Sequence, residues 1–274
     1  MKIKLSESKI NQIIVEAIDE VTAYHGTGAD FDKFNLGKAG TGAGSAAFGH
    51  GVYVTSDQVT AKDYAKIAQA FILTYRGETV YSSKNDDYLP ENFYNPFRVI
   101  YDLFQDCRNF SNAKEKAIRL YELCEENNVE MKSLWRKVVN IFVQSRASDF
   151  KMGTQRIMVE VDIPDDSDSW IDWYSPIEWK EIDYIAGFLN DRSYARFFEY
   201  MGDDDYEGYM WKDIYGILAD ALDGMDKASA LLYDAGYVGI RYDGGQIFKN
   251  NRQYINHVVF NPNDVMIVDK RFLK

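Results

Sequence analysis

An α+β protein is what this sequence predicts, from three patterns. Ile157, Val159, Val161 and Ile163 alternate with Met158, Glu160 and Asp162, the period-two signature of a half-buried strand. The segments "NPFRVIYDLFQDC", "AKEKAIRLYELCEE" and "MKSLWRKVVNIFVQS" instead repeat apolar residues every three or four positions, as helices do. Glycine clusters separate the short strand-like runs "VTAYHGTG" and "VYVTS".

Taken in order, Ile10, Ile13, Ile14, Ala17, Ile18 and Val21 predict an amphipathic helix over 1–21. Its polar face carries Glu16 and Glu20, which makes it a docking element or leader, since a membrane anchor wants a Lys-rich face. The strand through Tyr24 and His25 ends in a glycine turn, and the loop from Gly37 to Gly51 follows. After the strand "VYVTS", Ser56 is the expected N-cap of a helix whose face is Val59, Ala61, Tyr64, Ala65, Ile67 and Ala68. "FILTYRGETVY" returns to β character, and a helical block from 82 to 150 reads as an insertion. The rest alternates strand and helix, with Gly236 ending the last helix and Asn261–Pro262 breaking the final two strands. The expected organisation is therefore 1–21, 22–81, 82–150 and 151–274, with the second and fourth segments as two halves of one core.

Composition narrows the function. Forty-six per cent hydrophobic and 15% aromatic residues supply a sizeable core, and a net charge of −12 repels phosphate backbones and anionic bilayers. No run approaches the roughly 18 apolar residues of a membrane span, and the N-terminus lacks a signal-peptide core. With only Cys107 and Cys124, disulfide staples are not expected and an intracellular setting is the default; helical spacing assigns both to the core. The acidic clusters at 165–168 and 203–207 lack the alternation of an EF-hand and read as solvated loops.

A histidine beside a glycine is, alone, ordinarily a hydrogen-bonded structural group. Three segments together say more: "YHGTG" at 24–28, "GVYVTSDQVTAKDY" at 51–64, and "NHVVF" at 256–260. They resemble the three core motifs of the ADP-ribosyltransferase superfamily, in the branch shared by diphtheria-type toxins and poly(ADP-ribose) polymerases. The loop before Gly51, the strand after Arg156 and the segment "ASALLYDAGYVGIRY" are similar to phage- and mobile-element-associated members found in polyvalent proteins.

The resemblance implies a split β-sandwich core with a largely helical insertion and an N-terminal helix. It also implies a mono-ADP-ribosyltransferase that cleaves NAD and passes ADP-ribose to a macromolecule, a protein in preference to a nucleic acid. Such an enzyme would be a toxin-like, host-directed or anti-defence effector in the cytoplasm of a bacterial host cell. By the same resemblance His25, Tyr53 and Asn256 are the catalytic positions. His25, Gly26, Thr27, Gly51, Tyr53 and Tyr64 would bind NAD, the two tyrosines sandwiching the nicotinamide and the Gly26 backbone bonding its carboxamide.

Asn256 stands where the family has Glu. Its amide can accept a ribose hydroxyl but is uncharged and cannot act as a base, which disfavours chain elongation. Ala61 takes a position that is small and polar in the polymerases, and Asp243 and Asp264, which read first as surface-turn residues, are the nearby acids that could compensate. The alternatives are a degenerate NAD- or ADP-ribose-binding module and an NAD glycohydrolase.

Overall fold

The computed structural model describes residues 20–38, 47–84, 94–165, 167–202, 208–245 and 253–274. Residues 1–19 of the N-terminal helix expected over 1–21, most of the glycine-rich loop and the acidic run 203–207 lie outside these residues; Glu20 and Val21, expected to end that helix, instead open a strand. The chain has a mixed α+β fold with two sheets, and it divides into two compact units.

The first unit takes its described residues from 20–26, 31–68 and 158–271. Its strands are β1 (Glu20–Thr27), β2 (Val52–Thr55), β6 (Ile157–Pro164), β7 (Trp170–Asp172), β8 (Gly239–Asp243), β9 (Ile255–Val259) and β10 (Met266–Phe272). They form one seven-stranded sheet in the order β10-β6-β1-β2-β9-β8-β7. The β2–β9 and β9–β8 pairs are antiparallel, whereas β7 and β8 run parallel. A parallel pair needs a long crossover, and here helices supply it: α5 (Trp179–Ala186), α6 (Asp191–Met201), α7 (Trp211–Leu222) and α8 (Met225–Asp234).

These helices bury their apolar stripes on one face of the sheet. Ile182 and Ile185 of α5, Phe197 and Met201 of α6, Ile214 and Leu218 of α7, and Leu231 and Leu232 of α8 join Ile171, Ile240 and Val258 in one core. Helix α8 ends as expected, with Gly236 at a φ of +98°, a conformation glycine adopts without penalty.

The helix after β2, α1 (Gln58–Ile67), starts one residue later than Ser56 would set it. Asp57 is the cap: its carboxylate accepts from the Thr60 amide at 3.0 Å and the Thr60 hydroxyl at 2.8 Å. Ser56 is otherwise engaged, its hydroxyl accepting from Ile255 N–H of β9 at 3.0 Å. The buried face of α1 is Thr60, Ala61 and Ala65, while Val59 and Ile67 are exposed, so the predicted stripe was set too wide.

The second unit holds the described residues of 27–30, 69–157 and 272–274. Strands β3 (Ala70–Tyr75) and β4 (Glu78–Ser82) form a hairpin, and β5 (Phe150–Gln155) completes the order β4-β3-β5. The hairpin turns at Arg76 and Gly77, with φ of 53° and 92°, the left-handed pair that suits the twist of a tight hairpin. Helices α2 (Pro96–Cys107), α3 (Phe110–Leu123) and α4 (Val129–Val143) occupy the segment expected to be helical. Asn95, Asn109 and Asn128 cap them, each side chain accepting a first-turn amide. Leu73 packs there with Ile100, Leu103, Ala117, Leu134, Val138 and Phe142. Cys107 and Cys124 are free and half-buried; Cys107 packs against this core, whereas Cys124 caps the end of α3, which corrects the expectation that it is a core residue. Among the described residues, no helix is long and apolar enough to cross a membrane.

Candidate functional site

Strand registration decides which side chains share a face. Tyr53 pairs with Val258 and Thr55 with Asn256 across β2–β9; Val258 then pairs with Ile240, and Asn256 with Tyr242, across β9–β8. Since directly paired residues project to the same side, Tyr53, Asn256 and Tyr242 share one face. His257 and Arg241 point to the other.

On β1, Tyr24 pairs with Thr55 and so shares the face of Tyr53 and Asn256, while His25, the next residue, projects from the face of His257. The His25 Nδ1 lies 2.8 Å from the carbonyl oxygen of Tyr53. A carbonyl only accepts, so Nδ1 carries the proton and Nε2 keeps a lone pair. The ring meets Phe34 edge-on at 5.2 Å and Phe31 at 6.2 Å, and burial holds its pKa below the usual histidine value. His25 is thus a neutral imidazole whose second nitrogen is a hydrogen-bond acceptor.

Gly26 brings α1 against the same strand. A Cβ there would stand 1.9 Å from Ala61 O, 2.5 Å from Ala65 N and 2.9 Å from the Tyr64 Cβ. The resemblance implies that the Gly26 backbone bonds the nicotinamide carboxamide; what its missing side chain makes room for is this helix. Gly51 has a similar reason, because a Cβ would fall 2.5 Å from Val259 O on β9. Ala61 is fully buried.

Tyr53, Tyr64 and Tyr242 are electrostatic neighbours, and burial raises the pKa of each above that of a free phenol. They stay neutral at ordinary pH and cannot serve as bases. Tyr53 is also fixed at its tip: its hydroxyl donates to Gly49 O at 2.8 Å and accepts from Phe48 N–H at 3.1 Å. Tyr215 holds the same turn from α7. Its hydroxyl donates to Met225 O and accepts from His50 N–H, each at 2.9 Å, with the Ser229 hydroxyl 2.8 Å away. Gly49 is needed there, with a φ of +102° and no space for a Cβ beside Ile240. Phe48 then stacks on Tyr242, ring centroids 3.8 Å apart and planes within 8°.

Asn256 is only 3% exposed, and neither Oδ1 nor Nδ2 has a hydrogen-bond partner. Tyr242 stands alongside, close enough to interact but without completing a regular hydrogen bond. Nearly all buried polar atoms in folded proteins are paired. An amide with both ends unpaired is the signature of a place that something else completes.

Of the residues singled out by sequence, Gly26, Gly51, Tyr53, Tyr64 and Asn256 lie where β1, β2, α1 and β9 meet, and His25 joins them only through the Tyr53 carbonyl, its side chain projecting from the opposite face. Thr27 belongs to the second unit, where its hydroxyl accepts from Ala29 N–H at 3.0 Å in a local turn. The two candidate acids stand elsewhere. Asp243 pairs with Ile255, on the face opposite Asn256, and caps Gly245 N–H at 2.9 Å, whereas Asp264 sits in a one-turn helix before β10. Phe48, Tyr215, Tyr242, Gly244 and Tyr254 are the residues sequence reasoning missed. Compared with family models, curated proteins and solved structures, the chain matches none.

Proposed function

We propose that the protein is a mono-ADP-ribosyltransferase that uses NAD as substrate and gives ADP-ribose to a macromolecular acceptor. One observation carries the reading. Tyr53 and Asn256, which the motif resemblance selected from segments far apart in the chain, project from one sheet face, where the Asn256 amide is buried without a partner, and the His25 ring bonds the Tyr53 carbonyl. The finer architecture, a split β-sandwich of the ADP-ribosyltransferase kind, is part of the same proposal.

The residues present fit such a substrate. Tyr53 and Tyr64 offer flat neutral rings to an aromatic amide, an arrangement contributing about 0.5–1.5 kcal/mol beyond buried area. His25 offers an acceptor nitrogen to a sugar hydroxyl, and Asn256 offers both an acceptor and a donor. In the transfer the nicotinamide–ribose bond breaks, nicotinamide leaves with the bonding pair, and the acceptor's nucleophile bonds to the ribose and gives its proton to solvent. The developing positive charge meets no carboxylate from Asn256, so the acceptor must bring its own activated nucleophile and transfer is slow. A phage or mobile-element origin and a host target rest on the motif resemblance.

The test is NAD labelled separately in its nicotinamide and adenylate parts, incubated with the protein and bacterial lysate. Transfer releases the first label and fixes the second to macromolecules. Release without fixation marks a glycohydrolase. The uncharged Asn256 favours one further reading, a module that binds NAD or ADP-ribose without turnover; it would raise the melting temperature with NAD and release nothing.

A further inference from the structure

We infer that α5 and α6 carry a docking surface for an arginine-rich segment of a partner protein, with Trp179, Tyr194 and Phe198 stacking on its guanidinium groups and Asp183 and Asp191 balancing their charge. These two helices form the surface by themselves, so it does not depend on the proposed activity. Its centre is aromatic. Phe198 of α6 packs against the core, and its ring centroid lies 6.0 Å from that of Trp179 on α5 and 4.6 Å from that of Tyr194. Trp179 and Tyr194 are nonetheless 43% and 45% exposed, so the rings make a contiguous patch open to solvent. Single exposed apolar residues are ordinary, whereas a cluster of them marks an interaction site. Trp, Tyr and Arg are the side chains that carry most of the binding energy where proteins meet.

Charge selects the partner. On a helix, residues three and four apart are neighbours. That spacing sets Asp183 beside Trp179 on α5 and Asp191 beside Tyr194 on α6, both exposed. Among the described residues neither carboxylate is in a salt bridge. The cations of the same helices are committed elsewhere. Lys180 pairs with Glu178 at 2.6 Å and Arg196 with Asp223 at 2.9 Å. Arg196 first, and Arg192 with it, hold the Asp223 carboxyl below its usual pKa, so Arg192 too is turned toward the end of α7. What remains at the patch is aromatic and negative. A guanidinium satisfies both, its plane stacking on a ring face while its edge donates to a carboxylate. An ammonium, compact and strongly hydrated, does this less well. A nucleic acid could stack on the rings but would bring its phosphates toward two carboxylates. In a chain of net charge −12 the same field draws a cationic segment in.

Fluorescence anisotropy of dye-labelled hexa-arginine, titrated with the full chain at about 0.15 M ionic strength, tests this. Hexa-arginine should bind, and hexa-lysine more weakly. Trp179→Ala and Tyr194→Ser should each lose about tenfold in affinity, the effect of truncating an aromatic anchor, and should remove the preference for arginine. Both side chains are exposed, so melting temperatures close to the native one are expected, and either variant decides the matter if the other fails to fold. Asp183→Asn combined with Asp191→Asn should lose a similar factor. Glu122→Gln combined with Glu125→Gln, in the second unit, removes as much charge and should change nothing. The assignment is overturned by a native chain that does not bind hexa-arginine, by equal affinity for the two peptides, or by affinity that survives Trp179→Ala and Tyr194→Ser. A glutamate pair that costs as much as the aspartate pair overturns it as well, since the attraction would then be one of net charge. Oligothymidylate binding that depends on Trp179 would assign the rings to a single-stranded nucleic acid and also end the proposal.

Discussion

His25 donates its Nδ1 proton to the carbonyl oxygen of Tyr53 at 2.8 Å, and this one bond joins two of the three motif segments. It fixes the tautomer and leaves Nε2 as an acceptor. His25→Asn, whose amide can still donate to the Tyr53 carbonyl, is expected to fold normally and to bind NAD on the order of tenfold more weakly. Comparing its melting temperature with its dissociation constant separates the two roles. Protonation would fill Nε2, and burial holds the folded pKa below the usual 6.5. Affinity should therefore stay level from pH 8 to about 6.5 and fall only at lower pH.

Gly26→Ala tests the packing of α1. Its methyl would meet Ala61 O at 1.9 Å and Ala65 N at 2.5 Å, backbone atoms that cannot swing aside. Urea unfolding should show a loss of roughly 2–3 kcal/mol, the upper range for overpacking. Gly236→Ala has open space around it and suffers only from its positive φ, so it should lose about 1 kcal/mol.

Tyr215→Phe removes a buried hydroxyl bonded to His50 N–H and Met225 O and lying 2.8 Å from Ser229 Oγ. Stability should fall by about 1–3 kcal/mol. Hydrogen exchange at the His50 amide should rise more than the global loss accounts for, because its partner has gone. Equal protection of His50 in both proteins would show that Tyr215 does not hold the turn.

His257 sets an acid limit. Its ring is buried edge-on to Trp170 at a centroid distance of 4.8 Å, with Nδ1 unpartnered. Burial first, and then the Arg241 guanidinium across the strand, lower its pKa to about 4. Arg241 is itself paired bidentately with Asp172 at 2.6 and 2.8 Å, which holds the cation in place. A depressed folded pKa means that the stability is complete above the unfolded value near 6.5 and is lost as pH falls toward 4. The shift corresponds to on the order of 3 kcal/mol. His257→Leu should flatten the unfolding free energy across that window, and an unchanged slope would assign the acid loss elsewhere.

Most of this was legible in local pattern. The strands β1, β2, β6 and β9, the helix after β2 and the terminal pair followed from periodicity and from glycine and proline punctuation. Where neighbours from far along the chain decided, the sequence was silent. Ser56 and Asp57 are equally good caps by residue type; Ile255, nearly two hundred residues away, takes the Ser56 hydroxyl and leaves the helix to Asp57. Strand β5 escaped notice because Lys151, Gly153 and Gln155 give it no apolar alternation. Tyr215 and Tyr242 could not be found, since only the folded sheet and its helices bring them to Phe48, His50 and Asn256.

Nicotinamide release from labelled NAD, measured by chromatography in the presence of bacterial lysate, tests the central claim most directly. The native protein should release it slowly and fix adenylate label on macromolecules; His25→Ala and Tyr53→Ala should lose both, and Asn256→Glu, which restores an acceptor charge beside the ribose, should release it at least tenfold faster. Release and labelling that persist unchanged in His25→Ala and Tyr53→Ala would contradict the account.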